Sequence, residues 1–323
     1  MEGRRPGRPG RRRRSDTGRR KMVARATRGA SRLLPAALVV AAVVVLLASV
    51  VSGGCGEGEG GGTAPTAGAT ATVPPPSPSP SASPAATATP AATTTLFLYF
   101  LRRGELGVAE RRVPATTMPA TAAVRALLAG PDEEERAAGL APAVTAGVTL
   151  RRLAIADGVA EVDLSAPPDP DPTAPPARLR GTAALVYTLT RFATVDAVAL
   201  TVAGEPYPAS LPGPLTRRPF RALEPEIFVE QPGVGALLPD PFVLAGSARV
   251  FEATFTAQLS GPNGRRIATV TVTAGRGAPA RGRFRTEVAY SARPGPATLL
   301  VYDVSMADGS RQHLVRIPVV LAP

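Results

Sequence analysis

The chain has 323 residues, a formal net charge of +12, one cysteine, one histidine and no tryptophan. A single cysteine excludes an intramolecular disulfide, a paired-cysteine metal site and a redox dithiol, and a single histidine excludes a histidine metal cluster. The basic excess is local: residues 1–32 hold 13 of the 37 Lys and Arg against Glu2 and Asp16, which leaves 24 basic and 23 acidic residues for everything after them. A nearly neutral remainder has no electrostatic footprint for nucleic acid.

The chain opens with that basic leader. Arg32 precedes an unbroken run of nineteen mostly apolar residues, 33–51, followed by Ser52, Gly53, Gly54 and Cys55. A basic flank, an apolar core, small residues and then a lone cysteine resemble a bacterial lipoprotein signal, in which Cys55 carries the lipid. Ser52 stands where those signals usually have an aliphatic residue. The alternative is an uncleaved transmembrane anchor, because nineteen residues at about 1.5 Å each nearly span a hydrocarbon core of roughly 30 Å. Under both readings the arginines hold the N-terminus in the cytoplasm, so the remainder faces the extracytoplasmic side of the cell membrane. Translation from Met22 instead of Met1 would leave a short basic leader and remove most of the Arg-rich tail.

Residues 1–55 thus form a leader and anchor, and residues 56–94 a linker of Pro, Ala, Thr, Ser and Gly with too few large apolar side chains to offset the cost of ordering. Its reach lies between about 35 Å as a coil and about 120 Å as extended polyproline.

Periodicity begins at Thr95. Leu96 through Leu101 read as a buried strand, and residues 107–113 as a second. Pro119 opens a helix in which Val124, Leu127 and Leu128 share a face, and Gly130-Pro131 stops it. Asp132-Glu133-Glu134-Glu135 reads as the first turn of a short helix, where acidic side chains complement the macrodipole. Asp157-Gly158 supplies the positive backbone angles of a two-residue hairpin turn. Folding about it sets Ile155 against Ala160, Leu153 against Val162 and Arg152 against Asp163, the last as an ordinary surface ion pair. After a Pro-rich loop, Leu185, Val186, Leu189 and Phe192 recur at helical spacing, and residues 195–202 return as a strand.

Four of these segments, in this order, resemble the GerMN domain of sporulation and germination proteins. They are Tyr99-Phe100, the helix end Leu127-Leu128-Ala129-Gly130-Pro131, Asp157-Gly158-Val159 leading to Val162-Asp163-Leu164-Ser165, and Tyr187-Thr188-Leu189-Thr190-Arg191-Phe192 before Val195 and Val198. The resemblance covers residues 95–208. The loop 166–177 has no counterpart in the family pattern.

Residues 209–223, within a proline-rich stretch, read as a connector between separately folding domains. Beyond it, residues 224–323 show short strands with turn signals. Phe251, Ala253, Phe255, Ala257 and Leu259 alternate, Asn263-Gly264 marks a hairpin turn, Phe284, Val288 and Tyr290 mark a strand, and Asp308-Gly309 precedes the last strand. Gly246, Ala248, Phe251, Glu252, Tyr302 and Asp308-Gly309-Ser310 are similar to the immunoglobulin-like domain of bacterial spore germination proteins. The buried Trp and the disulfide of true immunoglobulin domains are missing. The expected fold is therefore α+β, a small mixed α/β domain followed by an all-β immunoglobulin-like sandwich.

Neither resemblance brings a catalytic motif or a cofactor. His313 lies in the last alternating run with Val315, Ile317 and Val319, where a half-exposed strand residue fits better than a triad base. Asp157 and Asp163 could do acid–base work on a sugar, but the hairpin register points Asp163 at an arginine. The expected function is a non-enzymatic, membrane-anchored envelope protein that presents two interaction modules to an envelope protein or peptidoglycan, as a scaffold or accessory of a sporulation- or germination-type assembly. The alternatives are a cell-wall glycan-acting or glycan-binding protein and an accessory of a membrane sensor.

Overall fold

The computed structural model describes residues 92–323, all within one compact unit. The leader, Cys55 and nearly all of the linker lie outside the described residues.

The first lobe begins with a long hairpin, β1 (Thr93–Arg102) and β2 (Glu105–Pro114), paired from Thr93 opposite Pro114 to Arg102 opposite Glu105. Its two-residue turn is Arg103-Gly104, with φ of 54° and 87°, the all-positive geometry that suits strand twist. Helix α1 (Pro119–Ala129) starts at its proline, ends at Gly130 (φ 84°) and buries Ala120, Ala123, Val124 and Leu127, leaving Leu128 half-buried. Helix α2 (Glu133–Ala137) starts on a capping box. Asp132 accepts from the Glu135 N–H, and Glu135 accepts from the Asp132 N–H in return.

A second hairpin, β3 (Leu150–Ala156) and β4 (Val159–Leu164), turns on Asp157-Gly158 and has the expected Cα register. The expected Arg152–Asp163 ion pair does not form. A register shift between Leu150 and Arg152 brings Arg151 to Asp163 instead, at 3.4 Å, and leaves Arg152 at 3.9 Å from Glu161. Helix α3 (Arg180–Leu189) then crosses back to β5 (Ala197–Val202), which pairs in parallel with β4, and β6 (Glu205–Pro206) completes a four-stranded sheet in the order β3-β4-β5-β6. The helix α3 contacts α1, β1 and β5, so it has no solvent face: every residue from Gly181 to Leu189 is buried. Phe192, read from the sequence as part of that helix, lies beyond its end and is half-buried.

Residues 209–223, the expected connector, are in part paired and buried. Leu215 exchanges two backbone hydrogen bonds with Val198, and a 3₁₀ turn at Arg218–Leu223 buries Phe220 and Leu223.

The second lobe is the expected sandwich. One sheet holds β7 (Ile227–Gln231), β9 (Phe242–Ala248) and β12 (Gly282–Val288) in the order β12-β9-β7. The other has the order β11-β10-β13-β14-β8, formed by β8 (Leu237–Leu238), β10 (Thr254–Ser260), β11 (Arg266–Thr273), β13 (Gly295–Val304) and β14 (Arg311–Leu321). Phe255 of β10 meets Phe284 of β12 edge-on at 4.9 Å between ring centroids. Aromatic and aliphatic packing of this kind fills the place of a disulfide and tryptophan. The alternation read from Phe251 onward starts four residues later. Glu252 and Ala253 sit at φ of 52° and 59°, which breaks the extended chain and leaves Phe251 63% exposed.

Candidate functional site

The two lobes meet through side chains that the first lobe supplies from β1 and α3. Tyr99, Tyr187 and Phe228 form an aromatic trio with centroid separations of 5.4, 6.1 and 6.0 Å. The Tyr99 hydroxyl donates to Glu230 and the Tyr187 hydroxyl to Glu224, both at 2.6 Å. Burial foremost, and these carboxylates with it, push both phenols well up. Arg217 lies over both tyrosine rings and donates to Glu230 at 2.6 Å, to the Thr190 hydroxyl at 2.7 Å and to the Tyr187 carbonyl at 3.1 Å. This is a bolt. Its polar groups are paired with one another, so it has structural work and little capacity left for a ligand.

Opposite roles fall to the charged residues singled out from the sequence. Asp163 accepts from the Gly204 N–H and the Thr201 hydroxyl, each at 2.9 Å. These bonds hold its carboxyl below the usual range, in the ionised form unsuited to a general acid. His313 sits at a register shift in β14 (φ 49°) with Nδ1 2.7 Å from the Asp303 carboxylate. Among the described residues there is no group of three or more His, Cys, Asp or Glu able to hold a metal, and no helix long and apolar enough to cross a membrane.

One carboxylate was not legible from the sequence. Asp169, in the Pro-rich loop, is 2% exposed and accepts from the Gly181 N–H, the Thr182 N–H and the Thr182 hydroxyl, with the Tyr207 hydroxyl at 3.4 Å. It caps α3 from a distance in sequence. Burial nevertheless raises its pKa, the donors offsetting only part of that penalty.

A cleft of about 450 Å³ lies between the lobes. Its lining comes from β2 at Leu106–Val108, β7 at Ile227–Val229 and β14 at residues 313–317. Arg102, Arg103 and Arg316 line it, together with Glu105 and Glu226. Glu226 is already held by both arms of Arg249, which lowers its pKa and cancels its charge. Arg102 has no carboxylate partner among the described residues. Its Nε is buried without any hydrogen bond, and its one contact is a long 3.4 Å bond from a terminal nitrogen to the Ala138 carbonyl. Burial, with the Arg103 charge second, pulls the Arg102 pKa below the ordinary arginine value. Buried donors are almost always paired, and this enclosed Nε is an exception in the cleft wall.

Comparison with known proteins agrees with both lobes. Residues 97–208 match the family model described as sporulation and spore germination, and residues 226–310 the one described as the immunoglobulin-like domain of bacterial spore germination. The chain therefore carries two sporulation- and germination-associated domains in series. Among solved structures it is similar to the first GerMN domain of the sporulation protein GerM from Bacillus subtilis, with 22% identity over 39% of this chain and 99% of that one and a TM-score of 0.33. The tandem GerMN domains of the same protein give 18% identity over 56% of this chain and 60% of theirs, with a TM-score of 0.34. No curated protein matches the chain.

Proposed function

We propose that this is a non-enzymatic interaction protein of the cell envelope, anchored at the extracytoplasmic face of the membrane by Cys55 lipid and holding two bolted modules out on a Pro-rich linker to meet a partner protein. The observation that carries this reading is the inter-lobe cleft, where strand edges and an arginine without a carboxylate partner meet; the His313–Asp303 pair at its β14 wall has no Ser, Thr or Cys among the lining residues to act on. The two germination-type domains and the polar satisfaction of the bolt support a scaffold or accessory role. The single cysteine after small residues and an apolar run supports the anchor.

The test combines anchoring with contact in intact cells. A photo-crosslinking amino acid at exposed Glu105, at the cleft mouth, is expected to capture a defined envelope protein, while Cys55→Ser abolishes metabolic labelling with a lipid analogue and lowers that capture. Capture undiminished in an unlabelled Cys55→Ser protein would reject the lipid anchor. Absence of any protein adduct from positions around the cleft would reject the interaction role.

A further inference from the structure

The cleft has a built-in template for its occupant. Residues 233–238 run as a strap between the two lobes, and the strap bonds to both walls. Val234 donates to the Val108 carbonyl at 2.9 Å and accepts from the Glu110 N–H at 2.8 Å, and its neighbour Gly235 donates to the Pro318 carbonyl at 3.0 Å. Further on, Val320 donates to Ala236 and Ala322 to Leu238, where β8 pairs with β14. One extended chain therefore fits between the outer edges of β2 and β14.

The strap stops short. On the β14 edge, β8 covers Val320 and Leu321 of a strand that starts at Arg311. Backbone groups alternate between the two sides of a strand. Pro318, Val320 and Ala322 face the strap, so the N–H and carbonyl of Arg316 face the same way, into the cleft. On β2, Val108 and Glu110 face the strap, so those of Leu106 also point into the cleft. No backbone hydrogen bond outside the strand pairings reaches Leu106 or Arg316 among the described residues. The vacant stretch is thus two unpaired strand edges in line with a segment that is already filled by extended chain, and an open edge is a site for strand addition.

Charge names the rest of the ligand. Arg102, Arg103 and Arg316 line the cleft against Glu105, Glu226 is held by Arg249, and Arg102 has no carboxylate partner among the described residues, so the basic side chains are in excess. Arg103 is held at φ 54° in the hairpin turn, a conformation that asparagine or glycine would take at lower cost. We propose that the cleft binds an extended, acidic segment of a partner protein, which adds as a strand to the open edges of β14 and β2 and sets a carboxylate on Arg102. The proposal rests on the interaction reading above and specifies the partner's chemistry.

The test is selection of phage-displayed random octapeptides on the full chain, followed by affinity measurement of the winners as free peptides. The expected winners carry Asp or Glu flanked by alternating β-branched residues. N-methylation of alternate peptide amides is expected to abolish binding, because it removes the donors that pair with the edge. Arg102→Met is expected to weaken binding about tenfold or more, with partial recovery in Arg102→Lys. Arg103→Asn guards against misfolding of the first variant: it is expected to leave the unfolding midpoint equal or raised and yet to weaken binding severalfold. Winners without a carboxylate, indifference to N-methylation, or equal affinity of Arg102→Met would overturn the proposal. So would saturable binding of a soluble anionic cell-wall glycan at the same arginines with no peptide binding. Such results would leave the interaction role intact if the in-cell adducts at the cleft positions still form, since the partner would then bind there by some means other than an added acidic strand.

Discussion

Asp169 shows how a residue with no visible motif can govern an element. It lies twelve residues before Gly181 in a loop of prolines, yet it satisfies the opening N–H groups of a helix buried from Gly181 to Leu189. Asp169→Asn keeps the shape but turns one acceptor into a donor facing the Thr182 N–H and hydroxyl, and is expected to cost roughly 1–3 kcal/mol by urea unfolding. The pH dependence follows from the raised pKa. The folded chain keeps the Asp169 proton to higher pH than the unfolded chain, whose value is near the ordinary 3.8. Its contribution is therefore complete below that value and is lost as pH rises through the folded pKa. The stability gap between the native protein and Asp169→Asn is expected to narrow as pH rises from about 3 towards neutrality. A gap that widens over that range would mean that the donors, not burial, set the pKa.

At the scale of elements, what was legible in the sequence is what neighbouring residues decide. Asp157-Gly158 sets the β3–β4 register because a two-residue turn permits one pairing, and Pro119 and Gly130 bound α1 because each obeys a local backbone rule. The failures are local rules overridden by context. The shift at Leu150 and Arg152 moved the ion pair by one arginine, and the left-handed Glu252 and Ala253 removed Phe251 from a strand whose alternation it seemed to begin. The cleft could not be read at all, since its edges come from residues near 106, 228 and 316 and depend on tertiary pairing. Helix α3 is read in the sequence from Leu185, Val186, Leu189 and Phe192 at helical spacing, and in the structure it ends at Leu189 and is buried from Gly181 onward. Leu189→Ala is accordingly expected to cost about 2–5 kcal/mol, since a fully enclosed site cannot collapse onto the void. A loss under about half a kcal/mol would show that the helix is not packed this way.

At the scale of the molecule, the proline-rich stretch is expected to join two separately folding domains, and in the structure part of it is also packed. Phe220 and Leu223 come from it and are buried, Arg217 lies on Tyr99 and Tyr187 and donates to Glu230, and Arg281 reaches back to Glu224 at 3.1 Å. Tyr99 and Tyr187 belong to segments that carry the GerMN resemblance, so part of that pattern here serves the joint with the second lobe through Phe228. Parting the lobes would expose this trio and strand Glu224 and Glu230 beside unpaired hydroxyls, a cost that a covalent link is not needed to impose. A protease site placed between Ser210 and Gly213, where Pro212 and Gly213 are exposed, is therefore expected to be cut without consequence for assembly. The two halves should co-elute on size exclusion in buffer, separate in urea and unfold in one calorimetric transition before cleavage. Phe228→Ala, which empties the centre of the trio, should let the cut halves part in buffer, and it should lower affinity for strand-adding peptides because the cleft has walls from both lobes. Halves of the native protein that separate freely once cut would restore the picture of two beads on a string, and the cleft between them would then have no fixed width to recognise anything.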